Sequence, residues 1–161
     1  MTEPVTVPDP QAMRRLGRRI GGRLRAGDLV VLTGPLGAGK TTLTAGIGEA
    51  LHVRGPITSP TFVLARTHPA PGGGPDLVHV DAYRLGSAAE LDDLDLDFAG
   101  SVVVVEWGAG LLDGIGDSLL EVRIERPPAR PTDTDDEEAE PRRVTLLASG
   151  PRWAGEPALL G

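Results

Sequence analysis

The sequence contains no cysteine, which excludes disulfides, thiolate metal sites and cysteine nucleophiles together. Aromatic residues are scarce, with two Phe, two Trp and one Tyr in 161 residues, so a core must be built from aliphatic side chains. No apolar run approaches the ~18 residues that a membrane-crossing helix needs. Met1 to Pro10 lacks the apolar stretch of a secretion signal. These absences predict a cytoplasmic chain with no membrane partner. Lysine is the rarest charged residue: Lys40 stands alone among 16 basic residues, and the rest are arginines.

What is present is enough for one globular domain, predicted over residues 1–150 with a short tail at 151–161. Apolar residues make up 40% and charged residues 24%, the balance of a globular chain with a core. The net charge of -7 is concentrated. Pro127 to Pro141 holds Asp133, Asp135, Asp136, Glu137, Glu138 and Glu140 against Arg130. This acidic, Pro-rich stretch has too little apolar surface to pack, and residues 127–141 are expected to form a disordered loop. The opposite charge gathers at Arg14, Arg15, Arg18, Arg19, Arg23 and Arg25. That run reads either as a solvated helix face or as a docking surface for RNA or an acidic partner.

In chain order, Glu3 to Val7 suits a short edge strand. Asp9 is the expected N-cap of a helix with Pro10 at its first position. Met13, Leu16, Ile20 and Leu24 recur at helical spacing, and Ala26-Gly27-Asp28 is the expected stop. Leu29 to Thr33 reads as a buried strand and Lys40 to Leu51 as a helix. Ile57 to Leu64 begins as loop and continues as strand, and Pro69 to Pro75 makes a hairpin tip. Leu77 to Asp81 and Ser101 to Glu106 are further strands, the second apolar enough for the middle of a sheet. Ser87-Ala88-Ala89-Glu90 has capping-box spacing for a short helix through Leu94. Leu119 to Glu125 and Arg143 to Ala148 alternate as an antiparallel pair. The fold predicted is a three-layer α/β/α domain with a mixed central sheet and a C-terminal antiparallel hairpin.

The stretch with chemistry in it is Gly34-Pro35-Leu36-Gly37-Ala38-Gly39-Lys40-Thr41, followed by Thr42. A strand, then G-x-x-x-x-G-K-[ST], then a helix is the phosphate-binding loop pattern. Its glycines let consecutive backbone N–H groups face phosphate oxygens, and the helix adds the positive end of its dipole. Lys40 then reaches the β- and γ-phosphates and the Thr41 hydroxyl faces Mg²⁺. The one lysine stands where a compact ammonium on a flexible stem suits a phosphate.

Such a loop needs a carboxylate on a neighbouring strand, and two strands end in acids, at Asp81 and Glu106. Each reads as a magnesium or water-positioning acid, or as a solvated strand end. The two-residue period of a strand puts His79, Asp81 and Tyr83 on one face, with Arg84 beside them. Singly, His79 and Tyr83 suit packing; together the group reads as a site. Ser59 and Thr61 offer hydroxyls that either sense a γ-phosphate or cap a turn.

Four motifs now stand in order: the loop from Gly34 to Thr42, Ser59-Pro60-Thr61-Phe62, His79-Val80-Asp81-Ala82-Tyr83-Arg84-Leu85, and Val105-Glu106-Trp107. In order and approximate spacing they resemble the TsaE (YjeE) family, over about residues 5 to 148. That family is the small bacterial ATPase needed to make threonylcarbamoyladenosine in tRNA. The resemblance implies hydrolysis of ATP to ADP and phosphate, with ATP and Mg²⁺ as cofactors and the TsaB and TsaD proteins as partners, tRNA being met indirectly. It implies nucleotide binding by Gly34, Pro35, Leu36, Gly37, Ala38, Gly39, Lys40, Thr41 and Thr42. Thr41 and Glu106 become the magnesium ligands, Asp81 the acid required for hydrolysis and Thr61 the switch threonine. Trp107 looks like the family tryptophan near the nucleotide, against the plainer reading of packing. Residues around Pro10 and a basic residue of the last hairpin, Arg142 or Arg143, are placed near adenine. A small P-loop kinase and a nucleotide-gated binding module are the competing readings; the kinase would need a second substrate pocket and an arginine-rich lid, neither evident here.

Overall fold

A computed structural model describes residues 2–35, 38–55, 57, 65–82, 96–106, 117–126 and 141–154 of the chain. Seven strands and two helices follow in the order β1 (Thr2–Val7), α1 (Pro10–Gly21), β2 (Leu29–Thr33), α2 (Lys40–Ala50), β3 (Ala65–His68), β4 (Asp76–Asp81), β5 (Ser101–Glu106), β6 (Leu119–Glu125) and β7 (Arg142–Ser149). All seven strands form one sheet in the order β1-β7-β6-β2-β5-β4-β3. The four middle strands, β6, β2, β5 and β4, run parallel. Antiparallel strands close both sides, with β7 and β1 beyond β6 and β3 beyond β4. The mixed α/β sheet and the β6–β7 hairpin agree with the sequence.

Burial on both faces explains why the middle strands are nearly all valine and leucine. On one face Val30, Leu32, Val104, Leu120, Val122 and Leu146 pack beneath α1 and α2, through Met13, Leu16, Ile20, Leu43 and Ile47. On the other face Leu29, Val31, Val78, Val80, Val103 and Val105 form a second cluster, with Leu96 and Phe98 against it. The helix expected from Ser87 to Leu94 and the acidic stretch 127–140 lie outside the described residues.

α1 begins as predicted: Asp9 is extended, and its Oδ1 accepts the Ala12 N–H at 2.7 Å, with Pro10 opening the helix. It ends sooner than expected, at Gly21, where the Gly22 N–H donates to the Arg18 and Ile20 carbonyls. Two consecutive glycines outweigh the periodicity that carries on to Leu24. Leu24 is still buried with the core, so the expected apolar face is right and its helical extent is not. The strand expected within residues 57–64 falls, apart from Ile57, outside the described residues; β3 follows at Ala65–His68 and is joined to β4 by the Gly/Pro tip.

The two helices touch at backbone distance. A Cβ on Gly17 would meet the Leu43 carbonyl, and a Cβ on Gly46 would meet the Arg14 carbonyl. Only glycine permits that approach. Glu49 of α2 ties the same pair from outside, accepting from Arg14 Nε and, at 3.0 Å, from Arg18 Nη1.

Candidate functional site

The sheet dictates where a site forms, because four parallel strands end together and leave a crevice at their carboxyl ends. β2 delivers the chain to Gly34 there, and α2 leaves from Gly39. Gly39 is the N-cap of α2 with φ 111°, a left-handed conformation that L side chains avoid. It offers α2 no side-chain cap, whereas Asp9 caps α1. The backbone N–H groups of the first turn of α2 thus receive no cap from the side chain of the N-cap residue. Met13 of α1 supports this corner, with its Cε 3.2 Å from where a Cβ on Gly39 would stand.

Lys40 is 6% exposed, and its Nζ donates to the carbonyls of Gly34 at 2.8 Å and Pro35 at 2.9 Å. Burial pushes its pKa below the usual lysine value, while the charges of Glu106 and Asp81 pull it back up. Thr41 and Thr42 follow in the same turn, both half-buried. The Thr44 hydroxyl is used inside the helix, donating to the Lys40 carbonyl at 2.8 Å.

The two expected acids stand directly beside one another. β4 and β5 pair in parallel with Asp81 opposite Glu106, and β2 places Leu32 opposite Glu106 from the other side. Glu106 is 4% exposed, at the end of a strand that is otherwise Ser and four valines. His79, two residues before Asp81, is fully buried with its Nε2 3.2 Å from Glu106 Oε2. The donor set consists of hard oxygens, a carboxylate pair and a threonine hydroxyl, and it fits Mg²⁺, which takes one or two protein oxygens plus phosphate oxygens and water. Among the described residues no group of three or more His, Asp or Glu is arranged to hold an ion alone.

Of the other expected site residues, Pro10 opens α1, whose first turn carries Met13 to the Gly39 corner. Ala38 is buried beside the loop. Leu36, Gly37, Thr61, Trp107, Tyr83 and Arg84 lie outside the described residues. The last hairpin separates its two arginines. Arg142 is buried in line with Val144 and Leu146, on the helix side, whereas Arg143 is exposed and alternates to the opposite face. The two side chains therefore lie on opposite faces of the sheet. Sequence reasoning missed Met13 as the support of Gly39 and Glu49 as the tie between helices; nothing in a linear pattern reports contacts between α1 and α2.

Residues 7–132 match the family model described as threonylcarbamoyl adenosine biosynthesis protein TsaE. The chain belongs to the TsaE family. Among relatives, a Streptomyces coelicolor protein named as a tRNA threonylcarbamoyladenosine biosynthesis protein TsaE is 57% identical over 145 residues, covering 88% of this chain and 94% of that protein. A Bacillus subtilis protein of the same name is 32% identical over 146 residues, covering 90% and 85%. The crystal structure of Bacillus subtilis YdiB superposes with a TM-score of 0.71 at 28% identity, over 95% of this TsaE-family chain and 89% of that one.

Proposed function

We propose that this TsaE-family protein is the ATPase subunit required to form threonylcarbamoyladenosine in tRNA, hydrolysing ATP to ADP and phosphate with Mg²⁺ and acting with TsaB and TsaD. The observation that carries the proposal is the meeting of Lys40, at the open N-terminus of α2, with Glu106 and Asp81 paired in register across β4 and β5. The names of the relatives supply the pathway. In this reading the loop amides and Lys40 grip the triphosphate. Thr41 and Glu106 hold the cation, which neutralises charge on the phosphates. Asp81 orients the attacking water, and catalysis is positioning plus charge stabilisation. Thr61 acts as the switch threonine and Trp107 lies by the nucleotide.

The deciding experiment is modification of unmodified tRNA by TsaB and TsaD, with and without this protein, under multiple turnover. Sustained product only in its presence is the expected result. The Asp81→Asn variant is expected to bind Mg-ATP within a few-fold of wild type, to lose roughly 10²-fold or more in phosphate release, and to stall modification. Undiminished modification with Asp81→Asn would instead support a nucleotide-gated binding module. Transfer of label from γ-phosphate to a metabolite instead of water would support a kinase.

A further inference from the structure

We propose that His79 is the positioning residue of Glu106, holding one carboxylate oxygen so that the other is offered to the cation of a bound nucleotide. The inference rests on the reading of Glu106 as the magnesium carboxylate and adds a residue on which that carboxylate depends.

The location is unusual for an imidazole. β4 alternates so that Leu77, His79 and Asp81 share the face turned to α2, and His79 stands opposite Val104 of β5 on one side and Arg66 of β3 on the other. His79 is 0% exposed. Among the described residues neither ring nitrogen completes an aligned hydrogen bond, although Nε2 lies 3.2 Å from Glu106 Oε2. A buried polar side chain with both donors and acceptors unmet is costly, and a leucine would fill the same space without that cost. An imidazole at this position therefore answers to something other than packing. Glu106 has the complementary need, since a carboxylate this deeply buried requires partners for its oxygens. Lys40 supplies charge, and it gives two of its three ammonium hydrogens to the Gly34 and Pro35 carbonyls. His79 supplies a directional donor.

With a proton on Nε2 the imidazole would donate to Oε2 and fix the carboxylate plane, leaving Oε1 to other partners. The 3.2 Å approach is within the reach from which catalytic hydrogen bonds tighten when a site is loaded. Partners of this kind orient ligating carboxylates, and their loss typically lowers metal affinity or activity by about 10–100-fold.

The test compares His79→Leu, which keeps volume and removes the donor, with His79→Gln, which restores a donor. For His79→Leu the magnesium concentration giving half-maximal ATP turnover is expected to rise roughly 10–100-fold. Calorimetric affinity for ATP in the presence of a chelator is expected to stay within about twofold, because phosphate contacts belong to the loop. His79→Gln should recover most of the magnesium dependence. Wild-type magnesium dependence in His79→Leu, or equal impairment in both variants, overturns the proposal.

Should His79→Leu fail to fold, the wild-type protein still decides. The chain has three histidines, so the imidazole nitrogens of His79 can be assigned by NMR with His52→Gln and His68→Gln. The Nε2 resonance is expected to shift when Mg²⁺ joins a bound non-hydrolysable ATP analogue, and not when Mg²⁺ is added alone. An unmoved resonance overturns the proposal. A wild-type protein that binds no Mg-ATP would overturn the functional reading itself, a separate and recognisable outcome.

Discussion

An ammonium that is 6% exposed keeps its charge only because oxygen surrounds it. For Lys40 those oxygens are two carbonyls of its own loop and, at longer range, the carboxylates of Glu106 and Asp81. The side chain thus does two jobs, carrying positive charge to the crevice and fastening the first two residues of the loop. Lys40→Ala removes both. It is expected to abolish Mg-ATP binding in calorimetry, and retained micromolar affinity would rule out the phosphate-loop reading. The site was legible at this scale because each residue has a fixed chemical task at a fixed spacing: Gly39, Lys40 and Thr41 in the loop, an acid ending each of two strands. His79 was legible as a member of a polar face, and its contact with Glu106 was not, because it depends on the rotamers of two buried side chains on adjacent strands.

At the scale of elements the decisive contact is α1 against α2. α2 starts at the loop, so whatever fixes its axis fixes the open helix terminus, and α1 fixes it through Gly17 and Gly46. Gly46→Ala would drive a Cβ onto the Arg14 carbonyl, and backbone cannot step aside as a side chain can. Overpacking of this kind costs about 1–3 kcal/mol, and the gain of about 1 kcal/mol in helix propensity offsets part of it. A net loss of up to roughly 2 kcal/mol corresponds to a fall in Tm of up to about 8 °C for a chain of this size. Nucleotide affinity should fall with it, since Met13 moves away from Gly39. Gly22→Ala is the control: its Cβ would lie 3.5 Å from the Arg18 carbonyl, an ordinary contact, and Tm should hold or rise.

The same helix pair carries a pH dependence. The hydrogen bond from Arg14 is the main reason the Glu49 carboxyl lies below its usual 4.5; partial burial opposes it and Arg18 adds to it. With the folded value lowered, the unfolded chain takes up the proton first as pH falls. The contribution of the tie is therefore whole above 4.5 and fades as pH drops through the folded value. Thermal melts of wild type and Glu49→Gln between about pH 7 and pH 3 should show a gap that closes at the acid end. The gap should be small, because exposed ion pairs are screened by water and salt. A gap independent of pH would exclude the ion pair as its source. The apolar stripe of α1 was readable from its spacing, whereas Gly17, Gly46 and Glu49 became meaningful only when a second helix was laid against them.

The molecule as a whole is divided into two poles by its sheet. Parallel strands gather Lys40, Asp81 and Glu106 at their carboxyl ends; the opposite pole is closed by the segment after β7. There Arg152 Nε donates to Asp28 Oδ1 at 2.9 Å, its Nη2 donates to the Arg23 carbonyl at 2.8 Å, and its guanidinium stacks on Trp153 at 4.2 Å. Trp153 is buried, so the beginning of the tail packs on the domain instead of trailing from it. Arg152 was not legible as a clasp in the sequence, since the pair spans from residue 28 to residue 152 and only the closed sheet brings them together. Breaking a buried ion pair from one side costs roughly 3–5 kcal/mol. A cleft of about 420 Å³ borders Asp28 and lets water reach the abandoned carboxylate, which argues for the lower end. Arg152→Ala is therefore expected to lose about 3 kcal/mol in urea denaturation with an unchanged slope. Because the clasp lies across the sheet from the phosphate loop, Mg-ATP affinity of the folded variant should match wild type. A loss of affinity without a loss of stability would mean that the two poles are coupled through β2, the central strand that begins beside Asp28 and ends one residue before Gly34.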